Sequence, residues 1–509
     1  MARSDGTVFT KPWLSLTASL VTLIALAAFN TLAVVGGLPQ ITAELGRVDL
    51  LSWLVTGFLV TSTLATMIAG PLIDGLGVRN TFRLTTVIFA AGSIACALAP
   101  SMEALVAFRC IQGLGGGLAF AVATAAVGLG FPEALRPRAL AATSVTWGVM
   151  ALAGPALGAA FIATTGWRGI FIANVPFAAI AAALGWKRLP VRPRDVPVGA
   201  AVDPVGVVLL GGFTVVSLVG VSSLTPAAAV AAGAAGVLGV AYWIYSGRAR
   251  RPVLARRHFA EMPLGAINVC FGLAFGAALG IDAYLPVYVR GGLGRSAALA
   301  AFSVAFLTVG WTAGSIITSR LLTLLTETAV ALVGFGLLIP PLAVGLIAYR
   351  ATTPVGLVFT MAWIVGMGVG TLAMAMLNLL YSRSDPNEVG RASAAHQYLR
   401  NLFQTYGAAL AGTILLVVVR ARVGEVEAIR HLLAGETVAG GDLAADSVSM
   451  GFRLAHSVPL TFAVGGAVIA GVLRRHDGRP WRRLAPTAVT KSPPEQTHAR
   501  NESGDFPPR

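Results

Sequence analysis

Residues 52–79 read SWLVTGFLVTSTLATMIAGPLIDGLGVR, an apolar run long enough to cross a bilayer as a helix, followed by glycines, one aspartate and one arginine. Similar apolar runs recur along the chain, which is 56% hydrophobic and only 12% charged. Soluble domains carry about 25% charged residues. So few charges cannot cover the surface of soluble domains of this total length. The composition excludes a soluble enzyme, a nucleic-acid binder and a disordered chain, and it predicts a polytopic, all-α membrane protein.

The apolar runs predict fourteen membrane spans, or twelve if residues 203–245 lie in the membrane interface. When the N-terminus is placed in the cytoplasm, the loops on that side carry roughly three times as many Lys and Arg residues as the outer loops. This excess predicts that both termini are cytoplasmic. It also explains the net charge of +15 without a nucleic-acid partner.

Composition shifts divide the chain into five parts. We expect a cytoplasmic tail, a six-helix bundle, basic loops with two additional helices, a second six-helix bundle and a polar, disordered cytoplasmic tail, at residues 1–13, 14–186, 187–262, 263–473 and 474–509. The three cysteines fall inside apolar runs and form no disulfide or zinc pattern. No metal and no cofactor are predicted, and neither a P-loop nor a catalytic constellation is found.

Two short motifs can be interpreted from their residues alone. In the loop after the second span, Gly70, Asp74, Gly77 and Arg79 combine turn-forming glycines with an acid and a base at the membrane edge. They predict either a charge latch on the cytoplasmic side or an ordinary solvated loop. The glycine run at 113–117 follows no predicted strand and predicts close helix packing rather than nucleotide binding.

The fifth span contains a second glycine-rich pattern. Gly148 is followed by Gly154, Pro155 and Gly158. Pro155 lacks a backbone donor and should kink the helix there, as prolines in membrane helices commonly do.

These motifs together resemble the major facilitator superfamily, and in particular its fourteen-span drug:proton antiporters. The resemblance rests on GPLIDGLGVR at 70–79, RCIQG at 109–113, GPALG at 154–158 and WRGIFIANVP at 167–176. The second half resembles the family mainly in topology. The resemblance implies two six-helix bundles that rock about a central cavity, with two extra helices, and a bend in the fifth span that favours export over uptake.

Two buried charges and one amide lie at similar depth in the predicted spans. Asp282, Arg109 and Asn30 should each lie roughly 9–12 Å below the outer surface. A carboxylate at this depth is costly unless it is paired or protonated, so Asp282 is a candidate for proton exchange or, alternatively, a structural acid at a wet cavity edge. We expect the three residues to cluster around substrate and protons.

Two further features concern the coupling of transport to proton movement. Many relatives in the resembled family carry Asp or Glu at the position of Asn30, so this protein has either lost that proton carrier or moved its role to Asp282. His396 and Arg400 form a second polar patch, expected near the cytoplasmic end of the thirteenth span, as a basic helix end or a proton relay.

The sequence therefore predicts a secondary active exporter of hydrophobic or cationic small molecules, such as drugs, antibiotics or metabolites, driven by proton antiport. Its expected partners are a small-molecule substrate, protons and the lipid bilayer, and it is expected to be a monomer. A dedicated exporter of an endogenous lipid or secondary metabolite, and a non-transporting membrane receptor or scaffold, are alternatives. The chain is rich in Ala, Gly and Arg and poor in Lys, which is typical of a GC-rich bacterium. We therefore expect the protein to lie in a bacterial plasma membrane.

Overall fold

The computed structural model describes residues 7–47, 50–189, 203–221, 225–385, 388–423 and 441–478. Regular structure in these ranges is helical. The principal helices are α1 (Leu14–Leu45), α2 (Leu51–Leu76), α3 (Val78–Ala97), α4 (Met102–Gly130), α5 (Arg136–Thr165), α6 (Trp167–Gly185), α7 (Pro204–Val221), α8 (Pro226–Arg248), α9 (Leu264–Asp282), α10 (Ala297–Leu321), α11 (Glu327–Ala348), α12 (Val355–Arg383), α13 (Val389–Val423), α14 (Gly441–Ala455) and α15 (Ser457–Asp477).

Fewer helices than expected satisfy the criteria for a membrane span. In the described ranges, 11 segments are long and apolar enough, with α14 and α15 counted together, and α5 makes a twelfth if its two bent parts form one span. Within α1, the segment Leu14–Asn30 is apolar but shorter than a full span, and α3 starts at Val78 and carries Arg79, Asn80 and Arg83 in its first turns. The fourteen-span count is therefore not established, and in α3 the polar residues at its start shorten the apolar part of the helix.

The helices form two bundles. Helices α1–α6 pack among themselves, with α1 against α5 and α6, α2 against α4, and α3 against α4 and α6. Helices α9–α15 form the second bundle, with α9 against α13 and α15, and α12 against α10 and α11. The bundles meet along two seams, α2 with α13 and α5 with α10.

The two additional helices form a lateral hairpin. Helices α7 and α8 pack against each other, and α7 also contacts α13 and α2. Thr214 Oγ1 lies 2.8 Å from the hydroxyl of Tyr398, and the Tyr406 hydroxyl donates to Ser217 at 2.7 Å. These hydroxyl pairs fix α7 to the second bundle beside the α2–α13 seam.

The glycine run in α4 serves helix packing, as expected. A Cβ on Gly115 would lie 2.7 Å from the backbone nitrogen of Phe89 in α3, and one on Gly113 would lie 2.6 Å from the carbonyl of Phe58 in α2. Only glycine permits these close backbone approaches. The run therefore holds α2, α3 and α4 together.

Candidate functional site

The amino-terminal face is the end of the molecule at which α1 begins, at Leu14, and α2 ends, at Leu76. Asp74 lies there and reaches across to the other bundle. Its Oδ1 accepts a hydrogen bond from the backbone N–H of Gly390 at 3.1 Å, and its Oδ2 accepts from that of Arg391 at 3.2 Å. The Arg391 side chain adds an ion pair at 3.9 Å. A carboxylate at the first turn of α13 satisfies N–H groups that the helix itself leaves unpaired. Asp74 thus closes the α2–α13 seam at this face.

Arg79 does not pair with Asp74, and the expected latch between these two residues is wrong. The GPLIDGLGVR stretch is not an open loop, because α2 and α3 are separated only by Gly77, whose φ of 82° turns the chain. Arg79 donates instead to the carbonyls of Leu189 and Lys187, both at 2.8 Å, which follow α6. It therefore ties α3 to α6 within the first bundle.

Two glycines allow the helices of this seam to touch. A Cβ added at Gly70 would lie 2.8 Å from the Cα atom of Arg391, and one at Gly390 would lie 2.8 Å from a side-chain carbon of Ile73. Because both approaches are closer than real Cβ contacts, larger residues would push α2 and α13 apart.

Arg109 lies in the core of the first bundle with 2% exposure. Its Nε donates to the carbonyl of Leu54 at 3.0 Å, and its guanidinium also donates to Asn30 at 3.1 Å and Gln112 at 2.6 Å. Asn174 adds a longer contact to Asn30 at 3.4 Å. Neutral oxygens therefore hold this buried cation, and it joins α1, α2 and α4.

Asp282 does not join this cluster. It lies at the end of α9 in the second bundle and makes no ion pair or hydrogen bond with Arg109. Its Oδ1 is buried and has no hydrogen-bond partner among the residues that the structure describes. The expected three-residue cluster reduces to Asn30 and Arg109, because similar depth along different helices does not bring side chains together.

Helix α5 contains the glycine–proline pattern and contacts helices of both bundles. It bends by 44° between the segments that end at Gly154 and begin at Ala156, where Pro155 removes a backbone donor. Gly148 faces Thr312 of α10, and a Cβ on Gly158 would lie 3.1 Å from that of Ala33 in α1. The bent helix thus packs on both its own bundle and the other one.

A cavity of about 90 Å³ lies between the two bundles. The residues that define its chemistry are aromatic, polar or basic: Phe120, Thr124, Trp147, Phe271, Phe275, Trp311, Gln397 and Arg400. They lie between about six and eleven residues, or roughly 9–17 Å, from the ends of their helices at the amino-terminal face, which is near half the thickness of a bilayer core. Pockets for drug-sized ligands usually measure about 300–1,000 Å³, so the bundles are closed around this centre.

Arg400 occupies this cavity rather than a helix end, contrary to expectation. Because α13 begins at Val389, Arg400 lies three turns inside the helix. Its guanidinium carbon lies 5.2 Å from the ring of Phe120 and 4.8 Å from that of Phe275, and it donates to Gln397 at 3.1 Å. The two rings belong to different bundles, so this cation lies at their contact.

His396 is directed elsewhere, so it forms no patch with Arg400. Its Nδ1 lies 2.8 Å from Asn268 Oδ1, and its ring stacks on Phe271 at 3.7 Å. Asn268 in turn donates to the carbonyl of His258 at 2.9 Å. His396 therefore links α9 to α13 inside the second bundle.

Sequence reasoning missed the aromatic lining of the cavity. Phe120 and Trp147 stack at 5.8 Å in the first bundle, and Phe275 and Trp311 meet edge to face at 5.0 Å in the second. An aromatic residue about ten positions inside each of several spans is the pattern that could have indicated them.

Comparisons with known proteins agree on one family for this chain. Residues 18–408 match the model of the Major Facilitator Superfamily. A probable multidrug-efflux transporter of Mycobacterium tuberculosis is 32% identical over 447 residues, which are 85% of this chain and 93% of that protein. The multidrug transporter protein MdtP of Bacillus subtilis is 26% identical over 78% of this chain and 74% of its own.

A solved structure has the same fold. The proton:xylose symporter XylE superposes with a TM-score of 0.59 at 14% identity, covering 88% of this chain and 94% of that one. Family, fold and membrane-spanning helices together describe a multi-pass transporter and not an enzyme. The chain belongs to the major facilitator superfamily.

Proposed function

We propose that this protein is a secondary active exporter that moves hydrophobic small molecules across a bacterial plasma membrane in exchange for protons. The observation that carries the proposal is the aromatic cavity at mid-membrane depth, lined by both bundles and closed at one face through Asp74. Substrate reaches such a midplane site from alternate faces as the bundles rock against each other. The excess of Lys and Arg in the loops on that side supports a cytoplasmic location for the amino-terminal face.

Asp282 is the proposed proton carrier. It lies seven residues after Phe275 on α9, so it lies on the same side of the helix as this cavity residue, about 10 Å nearer the opposite face. A buried carboxylate oxygen without a partner is costly when ionised. Asp282 therefore takes up a proton in the closed state and releases it when opening of the bundles admits water.

The proposed substrates are hydrophobic and aromatic. Multidrug-efflux relatives support a broad range of small molecules. Among the cavity-lining residues that the structure describes, Arg400 is the charged one. The described lining of this cavity therefore offers no carboxylate that could bind a cationic substrate.

Efflux of a neutral hydrophobic dye from everted membrane vesicles of a pump-deficient host tests the proposal. We expect dye transport that a protonophore abolishes, and at least a tenfold loss of rate in Asp282→Asn. Asp442→Asn is the matched control, because Asp442 is an exposed acid at the opposite face. Transport that resists the protonophore, or equal rates in both variants, would contradict proton antiport.

A further inference from the structure

The surroundings of Arg400 bear on the charge that the substrate carries, which rests on the proposed transport function. Arg400 is a partly buried cation with no carboxylate partner among the described residues. Within the described part of the chain, Arg400 donates one hydrogen bond, to a neutral amide, and its Nε is buried without a partner. A cation inside a membrane protein is costly unless an opposite charge or a set of acceptors compensates it. The described residues therefore compensate the charge of Arg400 only in part.

Arg400 has both aromatic partners only while the bundles are closed. Phe120 belongs to α4 of the first bundle and Phe275 to α9 of the second, and the guanidinium lies against both. Such cation–π contacts contribute about 0.5–2 kcal/mol each. When the bundles separate, at least one ring must withdraw from Arg400. The open cavity then presents a more exposed guanidinium with unused donors.

Gln397 keeps the guanidinium at this position. Its Oε1 accepts from Arg400, and its Nε2 donates to Thr124 of α4 at 2.7 Å. The amide thus connects Arg400 to the first bundle across the cavity. An acidic group entering the cavity would meet a guanidinium whose fork geometry favours bidentate contact with a carboxylate or sulfonate.

We propose that Arg400 binds the anionic end of an aromatic substrate, while the rings of Trp147 and Trp311 hold its planar part. Both indole rings line the cavity, one from each bundle. Offset or edge-to-face stacking on such rings favours planar aromatic molecules. The preferred substrate class is therefore an aromatic carboxylate or sulfonate, and an aromatic cation is disfavoured.

Three isosteric probes test this preference on the purified, full-length protein in nanodiscs: 2-naphthoate, 2-naphthylmethanol and 2-naphthylmethylammonium. Their dissociation constants are measured by calorimetry without any gradient. We expect the anion to bind at least tenfold more tightly than the neutral alcohol, and the ammonium most weakly. In Arg400→Gln the anion and the alcohol should bind equally, whereas Arg400→Lys should keep part of the preference.

Arg320→Gln is the matched control, because Arg320 is exposed at the end of α10. It should leave all three constants unchanged. Equal binding of the three probes to the unmodified protein, no measurable binding of the anion, or an anion preference that survives in Arg400→Gln would each overturn the proposal. The comparison on the unmodified protein stands even if a variant does not fold.

The binding assay and the efflux assay test the substrate class and the transport function independently of each other. An anion preference without proton-dependent efflux would contradict the proposed function but keep the assigned substrate class. Proton-dependent efflux of the neutral dye without an anion preference would support the proposed function and contradict the assigned substrate class.

Discussion

Asp74 of α2 accepts a hydrogen bond from the backbone N–H of Gly390 in α13, so a side chain of the first bundle caps a helix of the second. The same carboxylate accepts from Arg391. This contact crosses the boundary along which the bundles must separate if the amino-terminal face is to open. We therefore expect its strength to contribute to the balance between the closed and open states of that face.

Asp74→Asn should shift this balance toward opening. The amide keeps one acceptor oxygen but loses the charge and the second acceptor, and hydrogen bonds to charged groups contribute about 1.5–3 kcal/mol. We expect a several-fold faster reaction of a cysteine placed at Leu377, which lines the cavity, with an impermeant maleimide added at the amino-terminal face. Glu133→Gln removes an exposed acid at the same face and should leave the rate unchanged.

Gly70→Ala should open the same seam by steric means. The added methyl group would lie 2.8 Å from the Cα atom of Arg391, and the backbone of α13 cannot rotate away as a side chain could. We expect faster maleimide reaction at position 377 and slower efflux. Gly236→Ala adds a methyl group on α8 where nothing lies within 4 Å, so equal effects of the two substitutions would refute this explanation.

Arg109→Ala should destabilise the first bundle. The substitution leaves the carbonyl of Leu54 and the side chains of Asn30 and Gln112 without their shared donor. Each buried polar group that loses its partner costs about 1–3 kcal/mol. Thermal unfolding in detergent should show a clearly lower Tm. Arg422→Ala breaks an exposed pair with Asp446 and should cost less than about 1 kcal/mol. A normal Tm in Arg109→Ala would show that the network is dispensable.

Acid should destabilise the protein through His258, which lies between α8 and α9. Burial, together with the guanidinium groups of Arg257 and Arg391, lowers the pKa of His258 from 6.5 to about 3. Between these values the unfolded chain binds a proton that the folded chain does not, so stability falls as the pH drops below 6.5. The loss between pH 7.5 and pH 5 is about 2 kcal/mol.

His258→Asn should reduce the fall in Tm between these two pH values, and a scan of Tm against pH measures it. His476→Asn is the control, because His476 is exposed near the end of α15. An unchanged acid response in His258→Asn would show that other groups are responsible.

The sequence predicted the helices and the bundles better than it predicted the polar contacts. Apolar runs indicate where helices lie, and the four motifs lie in the first bundle, where glycines and prolines dictate backbone geometry. Distance along a helix gives the depth of a residue at 1.5 Å per position, but it does not give the direction of the side chain around the helix axis. Arg109 and Asp282 have similar depth, yet they lie in different bundles and do not meet.

A small error in a helix boundary also changed the interpretation of Arg400. The apolar run of the thirteenth span predicts a helix that begins at residue 393, whereas α13 begins at Val389. One additional turn moves Arg400 from the interface to mid-membrane depth. The aromatic partners of Arg400 come from α4 and α9, which are distant in sequence, and no local pattern links them.

Substrate-dependent proton movement in sealed proteoliposomes tests the central claim most directly. A pH-sensitive dye inside the vesicles should report proton flux when a hydrophobic substrate is added to the unmodified protein, and Asp282→Asn should abolish that flux while keeping a normal Tm. Asp442→Asn should behave like the unmodified protein. Substrate transport without proton movement, proton flux that persists in Asp282→Asn, or neither substrate nor proton movement in any vesicle would contradict a proton-coupled exporter.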